Sequence, residues 1–574
     1  MTERIRKLFQ AHLRNEVHFS TVSGVASTKP ELIRYFDEKQ PSIDVITTKS
    51  FQVKPNPGNR EPVICEMAPG SFGNSVGLRN PGLEKSLPPI EKLRKEGLRA
   101  ILNVSVSASN PEDFITLVKA FDDVADSIEL NFSCPHASAG FGASIGCDMN
   151  IASLYVSEIR KAYPQQKSAL LIKLTPNVPD IGAVAKAVME AGADGIVAIN
   201  TVGPDIHIHE ESGLPILNNK LGGKGGKSGT WVRERAIEAV RSIRSAIGDD
   251  PIIIGMGGVS TAYDAAAMVT AGADAVGLGS VFGTVKQQDW RSYLDSMKAE
   301  TVDLLAGKSI ENKTAGYIVS ENRMLYTKHT VLSAVEHTKD MLILTLSGTL
   351  DCHAGEFAFL FIPGVGEKPF SVAHNTPLTF LIRKRGAFTT ALFDLKEGDT
   401  VYTRGLYGAS FEHRKAGNVL LIGGGSGVAV LPSLCRMIDG DGSRVDVLVG
   451  TTLETTGVDG KALFEDYFKS FGTYTVIADD GKPGRVLDHI DEVLHSVDDT
   501  CVYLVGPEKF MSIAAKRLME KGISRDMIYL SMERSTMCGI GMCGECVCGD
   551  RLTCQWGTFF PYSYLEDNAG ELLV

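Results

Sequence analysis

ALLIKLTPNVPDIGAVAKAVMEAGADGIVAIN, residues 169–200, is the stretch whose reading decides the fold. It opens on the apolar run ALLIKL (169–174), continues with helical spacing, and ends on a glycine turn and a second run, GIVAIN (195–200). A helix between two short β-branched runs predicts parallel strands joined by a crossover. The segment AGADGIVAIN (191–200) is echoed by AGADAVGLGS (271–280), as expected when parts of one barrel share a plan. Working outward, IDVIT (43–47), LRAILNVS (98–105), SIELNF (127–132), PIIIGM (251–256) and AVGLG (275–279) have the same texture, and a further strand lies near 17–22. Eight βα units in this span predict an α/β fold, a (β/α)8 TIM barrel with its chemistry at the C-terminal strand ends. A doubly wound open sheet is the competing arrangement.

The 574-residue chain is too long for one core. Hydrophobic residues at 43% and charged residues at 22%, with no low-complexity tract, predict ordered globular units throughout. A net charge of −11 argues against nucleic acid, which needs a clustered basic face. No apolar run approaches the roughly 20 residues that span a bilayer, so a cytoplasmic protein with no membrane partner is expected. MTERIRKLFQ at the N-terminus reads as a capping helix, with a basic membrane-surface helix as the alternative.

Beyond a charged, helical stretch at 286–320 the periodicity switches to alternation. TVLSAVEHTKDMLILTL (330–346), GEFAFLFIPG (355–364), TPLTFLIRK (376–384) and TVYTRG (400–405) predict an antiparallel β-barrel. From about 418 strand–glycine–helix texture returns, with VDVLVG (445–450), YTVIAD (474–479) and CVYLVG (501–506), the pattern of a small nucleotide-binding α/β lobe. The expected division is 1–310 for the barrel, 311–322 for a linker, 323–413 for the antiparallel lobe, 414–530 for the nucleotide lobe and 531–574 for a cysteine segment.

Five of the eleven cysteines fall between 538 and 554, which favours a metal centre over disulfides. Cys538-x4-Cys543-x2-Cys546-x7-Cys554 has the first two spacings of the plant-type [2Fe–2S] run, with Cys548 as the spare. Zinc is the competing reading of a C-x2-C pair. A [2Fe–2S] cluster carries single electrons and needs a flavin nearby to split pairs.

Asn131-Phe132-Ser133-Cys134-Pro135-His136, at the end of the SIELNF strand, resembles the Asn-x-Ser-Cys-Pro string of class 1 dihydroorotate dehydrogenases, and the resemblance spans about 15–290. It implies Cys134 as the catalytic base that takes the C5 proton while hydride leaves C6 for FMN, with Lys49 beside flavin and substrate. Asn74, the backbone of Val76, Gly77 and Leu78, Asn131, His136, Asn200 and Thr201 are implied substrate ligands. Lys49, Asn103, Asn131, Lys173, Ser228, Gly229, Gly257, Gly258, Gly279 and Ser280 are implied FMN ligands. A dimer through the barrel is also expected.

In the second half, Lys368-Pro369-Phe370-Ser371, read as a turn, and Gly386-Ala387-Phe388-Thr389 resemble the FAD motifs of the ferredoxin–NADP+ reductase superfamily. Lys368 stands where arginine is usual, a point charge in place of a fork. With Ile382 and Arg383 these residues are the implied FAD site. Gly423-Gly424-Gly425-Ser426-Gly427 ahead of a helix can receive a pyrophosphate, and Val505-Gly506-Pro507 resembles the wall of that superfamily's nicotinamide pocket, so NAD(P) is expected here. The whole layout resembles NAD-linked dihydroorotate dehydrogenase with its two subunits fused. His136, FGASIGCD (141–148) and LTPNVPDI (174–181) lean instead towards dihydropyrimidine dehydrogenases acting on uracil or thymine, whereas NSVGLRNPG keeps a carboxylate-receiving loop. A purely electron-transferring flavoprotein is a further alternative. The loop GGKGGKSG (222–229) has no purpose derivable from sequence.

Overall fold

The computed structural model describes residues 3–26, 29–132, 143–411, 413–451, 461–478 and 486–573. It divides into two compact units: Met1–Arg323 with Ile540–Glu545, and Met324–Gly539 with Cys546–Val574.

The strands of the first unit are β1 (Phe19–Thr21), β2 (Ile43–Thr47), β3 (Ile64–Ala68), β4 (Ser71–Asn74), β5 (Ile101–Val106) and β6 (Ser127–Asn131), then β7 (Ala169–Lys173), β8 (Gly195–Ala198), β9 (Val202–Ile206), β10 (Lys224–Gly229), β11 (Ile252–Met256) and β12 (Ala275–Leu278). Eight of them close a parallel barrel in the order β1-β12-β11-β8-β7-β6-β5-β2, so the sheet is closed and not an open doubly wound one. All eight barrel strands fall on the stretches expected from sequence.

The barrel interior changes character along its axis. Its lower part is apolar: Val45, Ile101, Ala169, Leu171, Val197, Ile252 and Ile254 form one cluster with Ile5 and Leu8 of the N-terminal segment. Ile5 and Leu8 are fully buried, so the N-terminal helix is a cap on the barrel floor. Arg4 ties it down by donating to Asp126 at 3.2 Å. Along β2, β5, β6 and β7 the layer above is polar, with Thr47, Asn103, Ser105, Ser127, Glu129, Asn131 and Lys173 all buried.

A four-stranded antiparallel sheet, β3-β4-β10-β9, was not expected. Its strands follow barrel strands β2 and β8, so it rises from their C-terminal ends. It explains the lysine–glycine stretch. Strand β10 lies so close to its neighbours that a Cβ on Gly229 would stand 2.0 Å from Gly70 O, and one on Gly225 2.8 Å from Asn74 O. Lys227 pairs with Asp205 at 2.5 Å. Glycine is normally depleted from strands, which hid this one. Residues 311–322, read as a linker, pack on this unit: Lys313 N donates to Glu300 at 2.7 Å and Asn322 Nδ2 to Glu66 O at 2.9 Å.

In the second unit β13 (Thr327–Thr338), β14 (Met341–Leu346), β15 (Phe357–Ile362), β16 (Gly366–Asn375), β17 (Leu378–Arg383) and β18 (Thr400–Tyr407) close an antiparallel barrel, order β13-β14-β17-β16-β15-β18. Lys368–Ser371 is corrected from turn to strand: these residues pair with Phe357–Leu360 of β15. Pro369 is tolerated because β17 does not reach this part of β16, so its missing N–H breaks no ladder bond. The remaining strands are β19 (Asn418–Gly424), β20 (Arg444–Thr451), β21 (Thr473–Ala478), β22 (Thr500–Val505), β23 (Ile528–Ser531), β24 (Val547–Cys548), β25 (Arg551–Leu552) and β26 (Phe559–Pro561). The sheet β21-β20-β19-β22-β23-β26 is parallel except for β26, with a core on each face. The chain reverses strand order between β19 and β22, the crevice where open α/β sheets bind ligands.

Candidate active site

The polar upper layer of the barrel is a connected network. Glu129 is fully buried, and its carboxylate accepts from Ser105 Oγ at 3.0 Å and Asn103 Nδ2 at 3.3 Å. Lys173, 4% exposed, stands across from it with Nζ 3.7 Å from Oε1. That is an ion pair but not a hydrogen bond, and the ammonium makes no hydrogen bond to another described residue. Asn103 Nδ2 donates to Thr47 Oγ1 at 3.1 Å and to Glu129, and its Oδ1 accepts from Ser127 Oγ at 2.8 Å. One layer higher, Asn131 Nδ2 donates to Ser50 Oγ at 3.1 Å and Asn200 Nδ2 to Asn131 Oδ1 at 3.4 Å. Thr201 N donates to Asn200 Oδ1 at 2.8 Å, which fixes the orientation of that amide. A Cβ on Gly24 would lie 3.3 Å from Lys49 Nζ, so the glycine, at φ +82°, leaves the room the lysine head uses.

The small sheet contributes the loop after β4. Asn74 Nδ2 donates to Gly226 O at 3.3 Å. Gly77 and Leu78 both have left-handed φ, +75° and +58°, the second uncommon for a leucine. Asn56, Asn59 and Asn80 hold this turn through the carbonyls of Gly77, Val76 and Leu78. The N–H groups of Val76, Gly77 and Leu78 donate to no other described residue, leaving three consecutive donors for an anion.

A glycine cradle forms where the end of β10 meets the turn after β11. A Cβ on Gly258 would stand 2.5 Å from Gly229 O, and Gly257 and Gly258 have φ of +137° and +71°. Arg233 braces the turn through Gly258 O at 3.0 Å. Ser228 and Gly229 end β10, and Ser280 opens a turn directly after Gly279. The structure therefore brings together Gly229, Gly257 and Gly258. Cys134 and His136 lie outside the described residues. Sequence reasoning missed Glu129 and Ser105, although Glu129 stands two places before Asn131 on one strand, where strand periodicity sends both side chains inward.

In the second unit, Phe370 and Phe388 rings stack at 6.4 Å. Ile382 and Phe388 face the lobe's core, Arg383 pairs with Asp340 at 3.1 Å, and Thr389 Oγ1 accepts from Gly386 N at 2.9 Å. Gly427 and Gly506 meet at the β19/β22 crevice: a Cβ on Gly427 would be 2.7 Å from Gly506 N. Gly423 and Gly424 end β19, Gly425 and Ser426 open a 3-10 turn that precedes the α-helix Leu431–Ile438, and Pro507 caps the helix Glu508–Glu520.

Cys538, Cys546 and Cys554 are buried in the second unit, with Cys546 Sγ 3.3 Å from Cys554 Sγ, while Cys543 belongs to the Ile540–Glu545 segment of the first. There Met542 O accepts from Ala26 N at 2.9 Å. Among the described residues no three or more His, Cys, Asp or Glu side chains already stand in a metal-holding arrangement. The donor chemistry still suits iron–sulfur: the described cysteines are free thiols, and Gly539, Gly541 and Gly544 have left-handed φ, as a tightly wrapped loop requires. Fully buried Arg404 anchors the loop's start, donating to Cys538 O at 2.9 Å and Met537 O at 3.2 Å. Cys548 sits in a hydrophobic core, and burial pushes its thiol up to about 12, which fits the spare role.

A parallel (β/α)8 barrel with a polar, cation-bearing mouth and a glycine cradle defines a class, and the comparisons with known proteins specify it. Residues 6–291 match the family Dihydroorotate dehydrogenase, and the chain belongs to the dihydroorotate dehydrogenase family. It is 41% identical over 238 residues to the catalytic subunit of dihydroorotate dehydrogenase B (NAD(+)) of Methanocaldococcus jannaschii, covering 41% of this chain and 74% of that protein. With the same subunit of Alkaliphilus metalliredigens identity is 38% over 272 residues, covering 47% and 84%. Among solved structures, a DHODH of Eimeria tenella in complex with ferulenol superposes with TM-score 0.43 at 19% identity, covering 54% of this chain and 85% of that one.

Among the described residues no helix is long and apolar enough to cross a membrane.

Proposed function

We propose that the chain oxidises dihydroorotate to orotate and passes the electrons to NAD+, acting as catalytic and electron-transfer subunits in one polypeptide. The observation that carries this reading is the occurrence, in one barrel unit, of a buried lysine ammonium that faces Glu129 without hydrogen bonding to any described residue and of three consecutive backbone N–H groups at 76–78 that donate to none. The N–H groups suit a carboxylate, which orotate has and neutral pyrimidines lack. When bound, FMN accepts the hydride, and a [2Fe–2S] cluster and FAD carry electrons on to NAD(P).

The chain's own residues do the rest. Asn74, Asn131, Asn200 and Thr201 grip the pyrimidine, and Val76–Leu78 orient it by its carboxylate. Cys134 removes the C5 proton, with His136 beside it; a thiol near its ordinary value of about 8.5 works as a base only where the site lowers or gates that value. Lys49, Asn103 and Lys173 hold the flavin ring, and Ser228, Gly229, Gly257, Gly258, Gly279 and Ser280 its phosphate. In the second unit Lys368–Ser371, Ile382, Arg383, Gly386, Phe388 and Thr389 receive FAD, the latter group largely through backbone. Gly423–Gly427, Gly506 and Pro507 receive the nicotinamide nucleotide. Cys538, Cys543, Cys546 and Cys554 ligate iron, a reading supported by their spacing. The protein functions as a cytoplasmic homodimer through its barrel.

The test is anaerobic reduction of the purified flavoprotein by dihydroorotate, dihydrouracil and dihydrothymine, alongside assay of FMN, FAD, iron and sulfide per chain. Bleaching by dihydroorotate alone is expected. Bleaching only by the neutral compounds would move the substrate to the uracil class.

A further inference from the structure

Glu129 is an expensive residue to keep where it is. An isolated carboxylate inside a barrel costs several kcal/mol of desolvation, and such interiors are ordinarily filled by branched aliphatics. Here one turn of the barrel's own pattern would place Val, Ile or Leu, as it does at Leu171 and Val197. Instead Glu129 is fully buried, receives hydrogen bonds from Ser105 and Asn103 on β5, and faces Lys173 on β7. Three neighbouring strands thus converge on one carboxylate. The lysine it faces is also buried, and at 3.7 Å the pair leaves all three ammonium protons uncommitted among the described residues. A carboxylate at that distance attracts the ammonium and fixes its place without using its donors.

We propose that Glu129 is a positioning residue: it holds Lys173 in place, aimed at the barrel mouth, so that the ammonium meets the electron-rich pyrimidine edge of the flavin. This rests on the FMN reading above. Glu129 acts through Lys173 and touches neither flavin nor substrate. Ser105 belongs to the same device, because it fixes the carboxylate oxygen that faces the lysine.

The test uses the full-length holoprotein and sulfite, whose addition to oxidised flavin is favoured by positive charge beside the ring. FMN and FAD released by acid are quantified first, then bleaching of the FMN by sulfite is titrated in wild type, Lys173→Met, Glu129→Gln and the double variant. Lys173→Met weakens sulfite binding by about tenfold or more, because a nearby charge is lost. Glu129→Gln weakens it similarly, and the double variant falls within about twofold of Lys173→Met, as expected when one residue works through the other. Ser105→Ala, which keeps both charges, gives a smaller loss in the same direction and serves if Glu129→Gln does not fold. Normal FMN content with unchanged or tighter sulfite binding in Glu129→Gln, or in Ser105→Ala where only that variant folds, overturns the inference and leaves the FMN reading standing. Wild-type protein that never carries FMN overturns the FMN reading itself.

Discussion

Replacing Arg404 by methionine should strongly destabilise the second unit, and its cost can be worked from contacts. Arg404 and Glu367 are both fully buried and paired bidentately, at 2.8 Å and 2.5 Å. The guanidinium also donates to Tyr407 Oη at 2.7 Å and lies 3.8 Å from the Phe359 ring centroid. Removing one partner of such a pair strands the other, at about 3–5 kcal/mol. Loss of the donors to Met537 O and Cys538 O adds about 1 kcal/mol for each carbonyl left unpaired. The opposing gain is small, because methionine fills much of the volume but restores no hydrogen bond. Arg404→Met should therefore destabilise the second unit by about 5 kcal/mol, while Arg404→Met with Glu367→Leu, which removes the stranded charge, should recover more than half. Urea unfolding followed by fluorescence of the second unit reads both variants, and the iron content after gel filtration reads the loop through its proposed cluster. If the single variant costs under about 1 kcal/mol, or the double variant is worse than the single, the buried pair is not what braces the cysteine loop.

Gly427→Ala should weaken nicotinamide-nucleotide binding at least tenfold in a fluorescence titration, because its Cβ would stand 2.7 Å from Gly506 N, while dihydroorotate still bleaches the barrel flavin. Cys548→Ala should cost about 1–2 kcal/mol from a core cavity and leave the iron content of the proposed cluster unchanged, whereas Cys546→Ser should lower it. For Asp44, burial pushes the carboxyl up, but His18 and Lys298, the latter at 2.7 Å, outweigh it and hold it down at about 2. Its folded value lies below its unfolded one, so its contribution of about 2 kcal/mol is full above about pH 4 and lost as pH falls through 2. Asp44→Asn should thus be less stable than wild type at pH 7 by that amount in thermal melts, with the gap closing in acid.

Much of this was legible in residues. Ile/Val-rich runs such as PIIIGM and ALLIKL announce buried parallel strands, because both faces are covered and only apolar side chains fit. Ile5 and Leu8 are too few to define a helix, yet their spacing with charged neighbours was enough to mark a cap. The small sheet was not legible, since β10 is made of glycines and lysines whose strand conformation is imposed by close backbone neighbours and not by propensity. Lys368–Ser371 misled for the opposite reason: proline suggested a turn, and only the absence of β17 beside it lets a strand persist. Glu129 was hidden because a glutamate in a strand ordinarily faces solvent, and burial is a property of closure that no local window contains.

The plug formed by Ile5 and Leu8 has a consequence for traffic. Among the described residues, a barrel stoppered at one end and filled with aliphatic side chains above the stopper is open along its axis only towards the strands' C-terminal ends. Incoming dihydro-compound and outgoing product must then use that opening by turns, so each oxidised pyrimidine has to depart before the next molecule can enter.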